Sequence, residues 1–163
     1  MDWNLVVQDL GPRLYRFFTM RYHDNSAADL VQEVLSRLYV KVSGGNFDPE
    51  VASLTSFAFG IAMNVQRESL RDRSKWNYEE LNPDHYSPEQ QADSQEIRKI
   101  ALRKAIERLN SMEQQVLQLL LDRDLSLDEI SKILNIPLNT VKSHISRAKH
   151  KLRKILNDQE TSS

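Results

Sequence analysis

The sequence predicts an all-α protein made of two small helical domains joined by a flexible acidic linker. Three observations predict it. Apolar residues recur every three or four positions through each patterned segment. The chain holds only 4 Gly and 5 Pro, so turns are sparse enough for long helices. The periodicity also stops in one acidic, proline-broken stretch near the middle. The expected divisions are a first domain over 1–76, the linker over 77–95, a second domain over 96–157 and a tail over 158–163.

Residues 2–22 carry Leu5, Val6, Leu10, Leu14, Phe17 and Phe18 at near-helical spacing around Gly11-Pro12, which predicts two short helices or one kinked helix. Ser26 stands three residues before Asp29, an approximate capping box. Ala27, Val31, Val34, Leu38 and Val42 then mark one face of a helix that should stop at Gly44-Gly45. After a loop over 46–50, a third stripe runs through Leu54, Phe57, Ala58, Ile61, Ala62 and Val65, and its continuation over 67–75 is mostly charged. From 76 to 94, Asn82-Pro83, Ser87-Pro88 and many acids read as linker, with an extended reach on the order of 60 Å. Four helices follow, over 96–109, 111–121, 126–134 and 138–156. Trp3, Tyr15, Phe17, Phe18, Phe57 and Phe59 lie mostly on the apolar stripes and are assigned to the core.

Composition excludes several functions. Charged residues make up 28% of the chain, which argues against an ordinary membrane protein, and no apolar run is long enough to span a bilayer. An acid at position 2, with no basic segment leading into an apolar run, is unlike a secretory signal, so a cytoplasmic location is the default expectation. The absence of cysteine removes disulfides and thiolate metal sites. His23, His85, His144 and His150 are scattered, and the last two miss the i,i+4 spacing of paired ligands on a helix. No phosphate-binding glycine loop and no nucleophile elbow is present. Accordingly no catalytic residue, metal or cofactor is assigned.

The net charge of -1 hides an asymmetry. Lys142, Arg147, Lys149, Lys151, Arg153 and Lys154 follow one another over 139–157 without an acid. Glu79, Glu80, Asp84, Glu89, Asp93 and Glu96 crowd 78–96 without a Lys or Arg. This pattern suggests polyanion binding at the C-terminal end and a different partner for the middle.

The basic segment has an internal logic. Leu127, Ile130 and Ile133 define a short helix; Asn135 tolerates a left-handed turn; a long basic helix follows, with Leu138, Val141, Ile145, Ala148, Leu152 and Ile155 on one stripe. This is a helix-turn-helix pattern, whose second helix enters a DNA major groove with its N-terminal residues against base edges. Asn139, Lys142, Ser143, Ser146 and Arg147 fall in reach.

From 109 to 156 the sequence LNSMEQQVLQLLLDRDLSLDEISKILNIPLNTVKSHISRAKHKLRKIL resembles region 4 of the extracytoplasmic-function (ECF) RNA polymerase sigma factors, with TVKS at 140–143 and SRA at 146–148. Asn110 stands where the family usually has Pro, and Asp124 and Asn135 where it often has Gly. The segment DLVQEVLSRLYVK, 29–41, resembles the region 2 helix that grips the largest polymerase subunit, with Asp29, Gln32 and Glu33 on the family's positions. SFAFGIAMNVQRESLRDR, 56–73, is similar to the segment that melts and reads the minus-10 element, although Phe57 replaces a frequent Trp and Gly60 a frequent Arg. The loop over 42–53, with Gly44, Gly45, Asn46 and Phe47, resembles the one that captures an extruded base.

The resemblance implies an alternative sigma factor, a non-catalytic subunit that binds core RNA polymerase and promoter DNA and directs promoter recognition, melting and initiation. It leaves an anti-sigma factor open as a further partner, and membrane insertion is not expected. It assigns core binding to Asp29, Gln32 and Glu33, and minus-10 contacts to Asn46, Phe47, Asn64, Arg67, Arg71 and Arg73. Minus-35 contacts fall to Asn139, Thr140, Lys142, Ser143, Ser146, Arg147, Lys149 and Arg153. Two other readings use the same residues. One is an independent helix-turn-helix regulator that binds duplex without polymerase, and the other is a degenerate interaction protein that sequesters a partner.

Overall fold

Residues 1–22, 25–75 and 93–161 are described in a computed structural model of the chain. Among them seven helices form and no strand: α1 Trp3–Thr19, α2 Ser26–Ser43, α3 Leu54–Lys75, α4 Ser94–Glu107, α5 Ser111–Leu120, α6 Leu127–Leu134 and α7 Leu138–Thr161. The all-α class is as expected.

Asp2 starts α1 by accepting from the Asn4 N–H at 3.0 Å. Gly11-Pro12 does not divide the helix. Pro12 supplies no N–H, but burial of Leu10, Leu14, Phe17 and Phe18 holds the helix through it, each such side chain contributing on the order of 1.5–3 kcal/mol. α2 begins differently from expectation. Its N-cap is Asn25, which makes no side-chain cap bond, and Ser26 lies inside the helix, where its hydroxyl accepts from Arg73 at 2.6 Å. The Ser26/Asp29 capping box therefore does not form. At the other end Gly44 closes α2 through its N–H to the Val40 carbonyl at 2.9 Å, and Gly45 takes a left-handed φ of 77°, a conformation cheap only without a Cβ.

The linker expected over 77–95 lies outside the described residues up to residue 92. Its last part is helical: α4 already starts at Ser94, because the Asp93 carboxylate accepts from the Glu96 N–H at 2.9 Å. Two full capping boxes follow, Asn110 with Glu113 at α5 and Ser126 with Glu129 at α6. α7 runs to Thr161, past the expected end of the second domain.

The two halves share one core. Phe17 and Phe59 of the first meet edge to face at 5.6 Å, and the buried cluster continues through Val65 into Val116, Leu119 and Ile130 of the second. Polar contacts cross the same boundary. Arg13 on α1 donates twice to Asp122, at 2.7 and 2.9 Å; Gln66 on α3 and Gln118 on α5 exchange bonds of 3.0 and 2.7 Å; the Ser53 hydroxyl donates to Glu129 at 2.8 Å. Tyr15, assigned to the core from its stripe, is half exposed instead, since α1 buries the face of Leu14 and Phe18 and turns position 15 outward.

Candidate nucleic-acid interface

α6 and α7 make a helix-turn-helix. The turn depends on Asn135, the one non-glycine residue with positive φ among those described, at φ 56° and ψ 47°. Beside it the Ser131 hydroxyl donates to the Ile136 carbonyl. Pro137 then precedes the first turn of α7, where a missing N–H costs nothing.

Packing decides which face of α7 is free. Val141 and Ala148 are fully buried, and Ile145 and Leu152 are partly so. Asn139, Lys142, Ser143, Ser146, Arg147, Lys149 and Arg153 are therefore exposed, and Thr140 is half-buried. Lys142, Arg147, Lys149 and Arg153 place four cations on this face. The Ser143 hydroxyl donates to the Asn139 carbonyl at 3.0 Å, and Arg147 lies back on the Ser143 carbonyl at 3.3 Å, so both side chains rest against the helix.

One basic residue of α7 does not belong to that face. Lys151 reaches the buried Glu113, 2.9 Å away, and thereby ties α7 to α5. Burial pushes the Glu113 carboxyl up, but hydrogen bonds from Lys151 and from the Asn110 N–H outweigh it and hold the group below its ordinary range. In the sequence Lys151 stands in the acid-free basic run over 139–157. The partner could have been sought in Glu113, an acid three residues after the capping Asn110 on an otherwise apolar helix face.

The first half presents two further surfaces. Asp29, Gln32 and Glu33 are exposed on α2, where Asp29 and Glu33 line a groove of about 590 Å³ between α2 and α3. The opposite wall brings residues that sequence reading did not single out, Glu68 and Asp72. Arg37 bridges the walls, at 2.8 Å from Glu33 and 2.7 Å from Glu68. Hydrogen bonds to Glu68 and then Glu33 raise the Arg37 guanidinium, and the Arg37 bond in turn lowers Glu68. The i,i+4 spacing of Glu33 and Arg37 was the available signal for half of this bridge.

Beyond α2, Asn46 is exposed in the loop, with its N–H bonded to the Lys41 carbonyl at 2.9 Å. Phe47 is half-buried, its ring 5.1 Å from that of Phe57. On α3, Asn64, Arg67 and Arg71 are exposed, and the Asn64 carbonyl accepts from Arg67 at 3.4 Å. Arg73 is engaged within the protein. Its guanidinium donates to Ser26 and lies over the Tyr22 ring, 4.5 Å from the centroid.

Among the described residues no helix is long and apolar enough to cross a membrane. The family description for sigma-70 region 2 matches residues 6–75, and that for sigma-70 region 4 matches residues 105–154. The ECF RNA polymerase sigma factor SigW of Bacillus subtilis (strain 168) is 28% identical over 168 residues, covering 94% of this chain and 88% of that protein. The ECF RNA polymerase sigma factor RpoE of Cereibacter sphaeroides is 31% identical over 133 residues, covering 79% of this chain and 71% of that one. Among solved structures, RpoE in complex with the anti-sigma factor NepR from Bartonella quintana shares the fold with a TM-score of 0.71 at 22% identity, covering 96% of this chain and 97% of that one. CnrH in complex with the cytosolic domain of CnrY does so at 0.70 and 16% identity, covering 96% and 88%. With two sigma-70 regions in order along one helical chain and a relative above 30% identity over most of its length, the protein belongs to the ECF RNA polymerase sigma factors.

Proposed function

We propose that this alternative sigma factor directs transcription initiation through three separate surfaces. Asp29, Gln32 and Glu33 hold core polymerase. Asn46, Phe47 and Asn64 hold unpaired minus-10 bases, with Arg67 and Arg71 on the backbone and Arg73 positioning the start of α2. Asn139, Thr140, Lys142, Ser143, Ser146 and Arg147 read the minus-35 duplex, while Lys149 and Arg153 hold phosphates. The observation that carries this reading is the pairing of two units with different chemistry. A helix-turn-helix with an exposed basic face accompanies a second unit whose groove is walled by four acids. An independent regulator needs only the first.

Bond making belongs to the polymerase, and this chain contributes binding energy over two DNA contacts and a protein surface. Linking two modest DNA readers raises their effective concentration on one promoter. An anti-sigma factor, like the partner in the Bartonella quintana complex, is a further proposed partner.

The test is transcription by core polymerase with and without the purified chain. The expected result is initiation at a discrete site that requires the chain, lost in the Asp29→Arg, Glu33→Arg double variant while helicity is kept. Specific duplex binding without polymerase, unaffected by that variant, would support the independent regulator instead.

A further inference from the structure

The first half of α3 is wrapped nearly all the way round. From residue 56 to residue 66 every position is buried except Phe57, Gly60 and Asn64. These three stand three and four residues apart, and Arg67 and Arg71 continue the same spacing, so all five form one line along the helix. Through this line a partner can reach the core-filling part of α3. A glycine sits in its middle.

Two internal reasons call for a glycine in a fold, a positive φ or a neighbour that leaves no room for a side chain. Neither applies at position 60. Gly45 is the glycine with positive φ among the described residues, and Gly60 lies inside α3 with helical backbone. A Cβ at position 60 would meet no packed neighbour within 4 Å among the described residues. Glycine is also a poor helix former, so it weakens α3 without relieving any crowding. The third reason for a glycine is close approach of the backbone by something from outside.

The residues on either side indicate what approaches. Phe57 and Asn64 stand about 10 Å apart along the helix at ~1.5 Å per residue, with the bare backbone of Gly60 between them. One end of this slot is aromatic, as the half-buried Phe57 ring lies 5.1 Å from that of Phe47, tilted by 42°. The other end is the exposed Asn64 carboxamide, which carries both donors and an acceptor. Arg67 donates to the Asn64 oxygen across a long 3.4 Å, a bond readily exchanged for one to a ligand. An aromatic wall, an amide within reach of a base edge and two exposed arginines farther along match one unpaired nucleotide: its ring, its polar edge and its phosphates. Paired bases in a duplex cover one another's faces and cannot enter.

We propose, resting on the reading of function given above, that Gly60 is a specificity-determining residue of the minus-10 site. The space over its backbone receives one unpaired base of the melted strand, packed against Phe57 and bonded to Asn64. The missing side chain is what admits it.

The test uses the full chain bound to core polymerase, with Gly60→Ala and Gly60→Leu as variants. The probe is a fluorescent single strand, the non-template strand across the minus-10 element of a promoter that the parent transcribes, with each base in turn replaced by an abasic site. Gly60→Leu should weaken binding of the intact strand about tenfold, the order of one lost base contact, and Gly60→Ala should weaken it less. The abasic position that costs the parent most should cost Gly60→Leu nothing further, since base and slot are then already uncoupled. Thermal unfolding should show both variants at least as stable as the parent, because the added side chains stand in open space, so the loss cannot come from misfolding. Equal binding by all three proteins overturns the proposal, as does a loss in which every abasic position keeps its parental cost. A parent chain that neither binds core nor starts transcription refutes the reading of function itself, which separates that failure from failure of the slot.

Discussion

Lys151 on α7 places its ammonium 2.9 Å from a carboxylate oxygen of Glu113 on α5, whose side chain is 1% exposed. Removing the lysine leaves a buried carboxylate with one donor fewer. Lys151→Met should cost about 1–3 kcal/mol near neutral pH, toward the lower end because the lysine is itself partly exposed. Glu113 is depressed in the folded state, so its stabilisation is present above the unfolded value of about 4.3 and is lost as pH falls through the lower folded value. The gap between variant and parent should accordingly shrink on acidification. Urea unfolding of both proteins from neutral to acid pH checks it, and a gap independent of pH would show that the pair carries no such stability.

Asn135 holds the turn of the helix-turn-helix at φ 56°. Asn135→Gly should leave stability within about 0.5 kcal/mol, whereas Asn135→Val should cost about 1–2 kcal/mol, because a branched side chain is strained in that region. Thermal unfolding of the three proteins decides it. An unchanged midpoint for the valine variant would mean that the turn relaxes.

Arg147 and Arg153 share one exposed helix but stand at different depths along it. Arg147→Ala should cost about 1–3 kcal/mol at the upstream element and relax preference at one base pair, while Arg153→Ala should weaken binding to all sequences alike. Transcription from promoters randomised at that element, compared across salt concentrations, separates the two. A uniform loss with a reduced salt slope for Arg147→Ala would make it a phosphate contact and leave Lys142, Ser143 and Ser146 as readers.

Gly11 and Gly60 lie inside helices where an added Cβ would meet no atom within 4 Å. Each should gain about 0.5–1 kcal/mol on replacement by Ala. Gly44→Ala should lose stability, since its Cβ would stand 3.1 Å from the Val40 carbonyl oxygen. Unfolding midpoints that failed to rise for Gly11→Ala and Gly60→Ala would contradict the space seen around them.

The helices were legible because each carries its own evidence. Val141, Ile145 and Ala148 repeat at helical spacing, and that stripe alone separates the buried face of α7 from the exposed one. Local signals misled where a distant contact outweighed them. Gly11-Pro12 reads as a break, yet four buried side chains keep α1 whole. Ser26 reads as a cap, yet Arg73, 47 positions away, takes its hydroxyl. The bond between Arg13 and Asp122 joins residues 109 positions apart, and no spacing rule connects them. The contact of the two halves had no local signature because polar residues on apolar stripes, such as Gln66 and Gln118, look the same whether they meet water or each other.

The shared core also orders events during synthesis. Gln66 leaves the ribosome 52 residues ahead of Gln118, a lag of about 3–10 s at ~5–20 residues per second. Over that interval the face of α3 that carries Val65 has no cover, and the first three helices must close on one another alone. The nascent chain is therefore most prone to aggregate in the middle of its translation, and a pause in or after the acidic stretch would prolong that exposure.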